Sequence, residues 1–192
     1  MWPGGRGLYW RYRYSMTSHE SGLRPLVLRA VLLSMCVAVV LVAGRSSSKR
    51  DLLLPVEGAT LSAIRNDFHA RRNGGRAHAA IDIAAARGTP ILASAHGWIH
   101  RLSRSHLGGL GFYQIDPARG RCYYYGHLDR YAPGLEEGRE VVRGEVLGYV
   151  GSTGNASPDA PHLHFAAYEV RDGAPCSPAN AVNPYRLFTA NP

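Results

Sequence analysis

Pro161-His162-Leu163-His164-Phe165 opens a strand-like run that continues to Val170. On a β-strand residues i and i+2 project from one face. His162 and His164 therefore share a face, and one metal ion or one substrate bond can feel both. Upstream lies a second pair, His78 and Asp82, within Gly75-Arg76-Ala77-His78-Ala79-Ala80-Ile81-Asp82-Ile83. Between them stands Tyr125-Gly126-His127-Leu128. Three histidine-bearing segments and an aspartate point to a metal site assembled from parts distant in sequence. Two imidazoles and a carboxylate suit zinc, with a fourth position left for water. Extended chain would separate the Cα atoms of His78 and Asp82 by about 13 Å. Gly74-Gly75 and the Ile81-Asp82-Ile83 run argue against a helix there. The expected solution is a loop turning into a strand, with Asp82 at the strand start.

The body of the chain reads as short strands punctuated by Gly, Pro, Asn and Asp. Ile81–Ile83, Pro90–Ala93, Gly97–Leu102, Phe112–Ile115, Cys122–Gly126 and Val146–Val150 precede the His162–Val170 strand. Asp116-Pro117-Ala118-Arg119-Gly120 reads as a hairpin connection. No long amphipathic period is present outside the N-terminal tail. The expected fold is mainly β, a compact antiparallel β-sandwich or rolled sheet. Gly108-Gly109-Leu110-Gly111 has no Lys-Ser/Thr after it and is not a phosphate loop. It reads as a turn, as does Gly151-Ser152-Thr153-Gly154. His69, His96, His100 and His106 fall outside the three elements, and His19 lies in the tail; all five read as surface or structural.

The formal net charge is +8. Residues 1–50 hold eight Lys or Arg and one acid, Glu20, so all but +1 of it lies in the tail. The folded part therefore lacks the basic face that nucleic-acid binding needs, and no nucleic-acid partner is expected. Residues 1–24 form a basic tail. Residues 25–43 are apolar except for Arg29 and Ser34. Counted from Ala30, this run is shorter than the ~20 residues of an ordinary spanning helix. It reads as a signal anchor or as a signal peptide cleaved after Gly44, and translation from Met16 would give the more ordinary signal peptide. Cys36 stands inside the run and not at its end, which excludes lipidation there. Residues 44–60 read as a linker that is Ser-rich at its start, and residues 61–192 as the domain. In an exported protein Cys122 and Cys176 either form a disulfide or remain two free thiols. Neither has metal-ligand spacing with another cysteine.

At these residues the chain resembles the M23 zinc metallopeptidases, the lysostaphin and LytM type of peptidoglycan endopeptidase. The family's His-x-x-x-Asp motif is met by His78 and Asp82. Its Tyr-x-His-Leu element is met by Tyr125, His127 and Leu128. Its His-x-His-aromatic motif is met by His162, His164 and Phe165. Gly88–Ala93, Gly97-Trp98-Ile99 and Gly148–Gly154 are similar to the intervening segments. Where the family usually has Gly two residues after the first His, Ala80 stands. The resemblance implies a sheet with a zinc-containing groove, bordered by the 108–111 turn. It implies zinc on His78, Asp82 and His164, and catalytic histidines at His127 and His162, one a base and one a donor or oxyanion stabiliser. It further implies cleavage of peptidoglycan stem peptides or cross-bridges in cell-wall remodelling. The protein would then be exported and tethered by its hydrophobic segment to the periplasmic face of the inner membrane, or free in the periplasm if that segment is cleaved. The alternative is a non-catalytic peptidoglycan-binding regulator or amidase activator of the same fold. Degenerate members lose ligands or catalytic histidines, and all five residues are present here.

Overall fold

The computed structural model describes residues 52–72, 75–171 and 176–189. The basic tail, the 25–43 apolar run and the Ser-rich start of the linker lie outside the described residues. Among the described residues no helix is long and apolar enough to cross a membrane.

Among the described residues nine strands form one antiparallel sheet: β1 (Ile81–Ala84), β2 (Pro90–Leu92), β3 (Gly97–Ser105), β4 (Gly109–Asp116), β5 (Arg121–Tyr131), β6 (Glu140–Val141), β7 (Val146–Val150), β8 (His162–Glu169) and β9 (Ala181–Val182). The main order is β1-β8-β5-β4-β3-β6, with β2 on β7, β7 on β5 and β9 on β8. The first half of β5, Arg121–Gly126, pairs with β8, and its second half, Leu128–Tyr131, pairs with β7. One strand thus serves two partners along one edge, and the sheet divides there. This is the rolled form of the expected fold and not two stacked sheets. A helix of six residues, α1 (Pro184–Thr189), closes the described chain.

The alternation of β8 separates two faces. Leu163, Phe165 and Ala167 enter the main core with Ile81, Ile83, Ile99, Phe112, Tyr123 and Tyr125. Fully burying a large apolar side chain contributes about 1.5–3 kcal/mol, so these side chains dominate the stability of the sheet. The opposite face carries His162 and His164, then Ala166 and Tyr168 in a smaller cluster with Ala80, Ile115, Cys122 and Tyr124. Ala80 is fully buried in that cluster, so its methyl group is packed where the family usually has hydrogen.

Residues 52–60, read from sequence as the end of a linker, pack against the sheet. Leu53 N donates to Ser94 O, Glu57 N to Pro90 O, and Leu92 N to Pro55 O. Leu52 and Leu54 lie against the core and Val56 is buried in it. Their apolar side chains gain by covering β2, which no linker composition reveals. Gly109, Leu110 and Gly111, read as part of a turn, belong to β4, and β3 runs on to Ser105. The two-residue strands β6 and β9 carry too little pattern to be read from sequence.

Cys122 and Cys176 are bonded, with Cα atoms 5.4 Å apart. The bond ties the segment after β8 onto the face that carries His164, across a sequence separation of 54 residues. Replacing both cysteines with serine should lower stability by about 2–4 kcal/mol, the range for a loop of this order. Urea unfolding of the paired variant against the parent measures it; equal midpoints would assign the bond no stabilising role.

Candidate metal centre

His78 lies in the loop before β1 and Asp82 in β1 itself. Ala79 between them adopts φ 54°, in the left-handed region. That one residue turns the chain back, so His78 Nε2 stands 3.1 Å from Asp82 Oδ1 across only four residues. His78 N donates to Ala70 O and Ala79 N to Phe68 O, fastening the loop. Register supplies the third group: Asp82 is the direct cross-strand partner of His164. His164 Nδ1 lies 3.1 Å from Asp82 Oδ1 and 3.1 Å from His78 Nε2. The three donor atoms form a triangle of equal edges that could hold a metal ion.

The surroundings orient these donors. His78 Nδ1 donates to the Asp67 carbonyl oxygen at 3.2 Å, which leaves the Nε2 lone pair facing the triangle. Asp67 also places Oδ1, a buried oxygen with no hydrogen bond, 3.4 Å from the same nitrogen. The guanidinium of Arg72 contacts Asp82 Oδ2, the His78 ring and Asp67, so the acceptor set already draws a positive charge. Burial alone would push the Asp82 carboxyl up, but the His164 and His78 imidazoles beside it outweigh burial and hold it well below the usual carboxylate range. Burial pushes the His164 imidazole down, against the pull of Asp82.

His127 reaches the site through a β-bulge. The register between β4 and β5 shifts between Leu110↔Leu128 and Phe112↔Tyr125. Strict alternation would put Tyr125 and His127 on one face. The extra residue breaks it: Tyr125 and Leu128 enter the core, and His127, at φ 62°, turns to the opposite face. Its ring lies 4.9 Å from that of His162 and 5.7 Å from that of His164. Gly111 permits the bulge, because a Cβ there would stand 2.4 Å from Tyr125 O. Thr153 fixes the ring: its carbonyl accepts from His127 Nδ1 at 2.7 Å, and its hydroxyl donates to Leu128 O. His162 Nδ1 likewise donates to Ala160 O at 2.9 Å. Both Nδ1 atoms are thereby committed, which leaves each Nε2 for other partners. Burial lowers the pKa of His127 below 6.5, only partly offset by its bond to Thr153, so the ring is neutral at pH 7.

The profile of peptidase family M23 matches residues 76–183, more than half of the chain. The chain belongs to peptidase family M23. Two curated relatives set the scale of similarity for this M23 domain. The DD-carboxypeptidase/endopeptidase Mpg of Neisseria meningitidis serogroup B is 42% identical over 111 residues, covering 57% of this chain and 24% of Mpg. The L-Ala--D-Glu endopeptidase of Bacillus subtilis is 33% identical over 121 residues, 55% of this chain and 36% of the relative. The chain thus spans only about a quarter to a third of these relatives. The catalytic domain of lysostaphin from Staphylococcus simulans superimposes with a TM-score of 0.58 at 27% identity, over 68% of this chain and 96% of that domain. LytU gives a TM-score of 0.54 at 27% identity, over 72% and 88%.

All five residues singled out from the M23 motifs converge in the structure. Tyr125 does not join them: it is fully buried, donating to Gln114 Oε1 and accepting from Ser94 N. Its neighbour Tyr124 lies on the site face instead, its ring 6.0 Å from that of His164. Asp67 and Arg72 have no motif and were missed, and Thr153, inside the Gly148–Gly154 segment, was read only as part of a turn; each acts through a contact between segments distant in sequence or within an irregular loop. Thr153 gives a testable case. Gly109, at φ 64°, lies so close that a Cβ would stand 2.3 Å from Thr153 Oγ1. Gly109→Ala should displace Thr153, loosen His127 and lower kcat about tenfold, at a backbone cost of about 1–2 kcal/mol. Parent-like kcat in a folded Gly109→Ala variant would remove Thr153 from the account.

Proposed function

We propose that this protein is a zinc-dependent endopeptidase that hydrolyses peptide bonds in peptidoglycan stem peptides or cross-bridges. The observation that carries the reading is the donor triangle of His78 Nε2, Asp82 Oδ1 and His164 Nδ1, with edges of 3.1 Å. A tetrahedral ion with bonds of about 2.0–2.1 Å has ligand–ligand edges of ~3.3 Å, so the set fits zinc. Two neutral nitrogens and one carboxylate without thiolate match a catalytic rather than a structural site. His78, Asp82 and His164 would hold the ion. When bound, zinc supplies a Lewis acid for the scissile carbonyl and makes water a usable nucleophile near neutral pH.

His127 and His162 provide the proton chemistry. His127 is neutral, its Nδ1–H is committed to Thr153 O, and Nε2 is free to accept the proton of the attacking water. His162 presents Nε2 3.8 Å from Asp82 Oδ1 at the edge of the triangle, which places it to stabilise the oxyanion or to serve the leaving amine. Complete retention of the five side chains supports catalysis over the regulator reading. A peptidoglycan substrate places the domain outside the cytoplasmic membrane, with the 25–43 segment as its anchor or export signal.

Digestion of purified peptidoglycan, followed by mass analysis of the new peptide ends, tests the activity and identifies the bond. New amino and carboxyl termini within stem peptides or cross-bridges are expected. Intact muropeptides after incubation with zinc-loaded protein would reject the endopeptidase assignment.

A further inference from the structure

One buried carboxylate oxygen beside the metal centre has no partner. Asp67 lies in the loop before β1, and that loop folds back on itself. Arg71 pairs with Ala77, Ala70 O accepts from His78 N, and Phe68 O accepts from Ala79 N. The return sets Asp67 on the Nδ1 edge of the His78 ring, while Nε2 faces the donor triangle. The main-chain carbonyl of Asp67 accepts from His78 Nδ1 at 3.2 Å and also from Ala70 N at 2.8 Å. The shorter bond goes to the backbone, so this oxygen is a shared acceptor for the imidazole. Asp67 Oδ1 stands 3.4 Å from the same Nδ1. It is buried, and among the described residues it has no hydrogen-bond partner. An orphaned oxygen of this kind is costly and calls for an explanation.

The Arg72 guanidinium does not supply one. Its Nη2 lies 3.5 Å from the other carboxylate oxygen, Oδ2. The same Nη2 stands 2.9 and 2.8 Å from the two ring nitrogens of His78. An atom so placed lies across the ring and not along either lone pair, which leaves Nδ1–H directed at Asp67. An imidazole that gives Nε2 to a divalent ion becomes a stronger donor at Nδ1–H, and a carboxylate is the acceptor that gains most from it. The unpartnered oxygen is thus a cost in the zinc-free fold that turns into a bond when the site fills.

We infer that Asp67 is a positioning residue: its carboxylate is the second acceptor for His78 Nδ1–H and tightens the hold of His78, Asp82 and His164 on zinc. This rests on the zinc-endopeptidase reading and adds the residue that tunes one of its ligands.

Zinc alone is the probe, competed between a fluorescent chelator and the full-length chain in detergent. Asp67→Ala should raise the zinc Kd about 10–100-fold, the usual effect of losing such a partner. Asp67→Asn keeps the shape and the main-chain carbonyl and should show most of that rise, because the charge is what the metal-bearing imidazole draws on. The zinc-free variants should melt no lower than the zinc-free parent, since Oδ1 has no bond to lose there; a residue that only braced the loop would lower the melting temperature instead. The loss should persist in an Arg72→Ala background, which separates an effect through His78 from one through the guanidinium. In nitrogen-15 spectra of the zinc-loaded protein the His78 Nδ1–H proton should move upfield in Asp67→Asn. A parent-like Kd in either variant overturns the inference, as does a rise that vanishes without Arg72 or that comes with a lower zinc-free melting temperature. A parent that binds no zinc sinks the zinc reading and this inference with it. A parent that binds zinc but cuts no peptidoglycan sinks the peptidase reading and leaves the role of Asp67 standing.

Discussion

His78→Ala and Asp82→Ala should lose zinc and peptidase activity together. Each removes one vertex of a triangle whose edges are all 3.1 Å. Two remaining protein donors do not make a catalytic zinc site, which needs three. The Asp82 variant has a second cost. It removes the negative charge that faces three imidazoles, those of His78, His162 and His164. Zinc content should fall from one per chain to near zero, and activity should fall by more than the ~10²–10⁴-fold assigned to an acid–base residue. Asp82→Asn keeps the shape and tests the charge alone; it should bind zinc more weakly than the parent. Elemental analysis beside turnover on the same preparations measures both quantities. A His78→Ala, Asp82→Ala protein with full zinc content would overturn the ligand assignment.

Removing His127 or His162 should separate the two quantities. Neither ring belongs to the triangle, so His127→Ala and His162→Ala should keep their zinc. Each should lose about 10²–10⁴-fold in kcat, the usual contribution of a positioned acid or base. The pH profile adds a signature for His127. Its pKa is lowered from 6.5 by burial, so the neutral, proton-accepting form persists to lower pH than for an exposed histidine. The acid limb of kcat/KM should therefore fall below pH 6.5, as protonation removes the acceptor, and that limb should disappear in His127→Ala. Parent rates from zinc-loaded variants would remove both residues from catalysis and favour the binding-regulator reading.

The strands, the mainly β class and the participants of the site were legible in the chain because each has a local signature. The alternation of His162, His164 and their apolar neighbours fixed which side chains of β8 face the core. The four-residue spacing of His78 and Asp82 excluded plain extended chain, and Ala79 in the left-handed region is the turn that spacing required. Proline and glycine marked the start of β2 and the turn between β4 and β5, but Gly111 and Gly126, read as a turn and a strand end, lie inside β4 and β5. Local composition is blind to three other matters. The register that sets Asp82 opposite His164 depends on strands 82 residues apart meeting, which backbone pairing and core packing decide together. The bulge that turns His127 away from Tyr125 breaks the period of two on which strand reading relies, so Tyr124, which lies on the site face, was passed over. The choice between a disulfide and two thiols was settled by the pairing of Cys122 with Tyr168 on β8 and the return of Cys176 to that face. The sequence by itself determined which residues could form the site and which face of each strand would be apolar. Only the tertiary structure decided how the donors converge, because strand pairing, one bulge and one cross-link act between segments whose order in the chain says nothing of their distance.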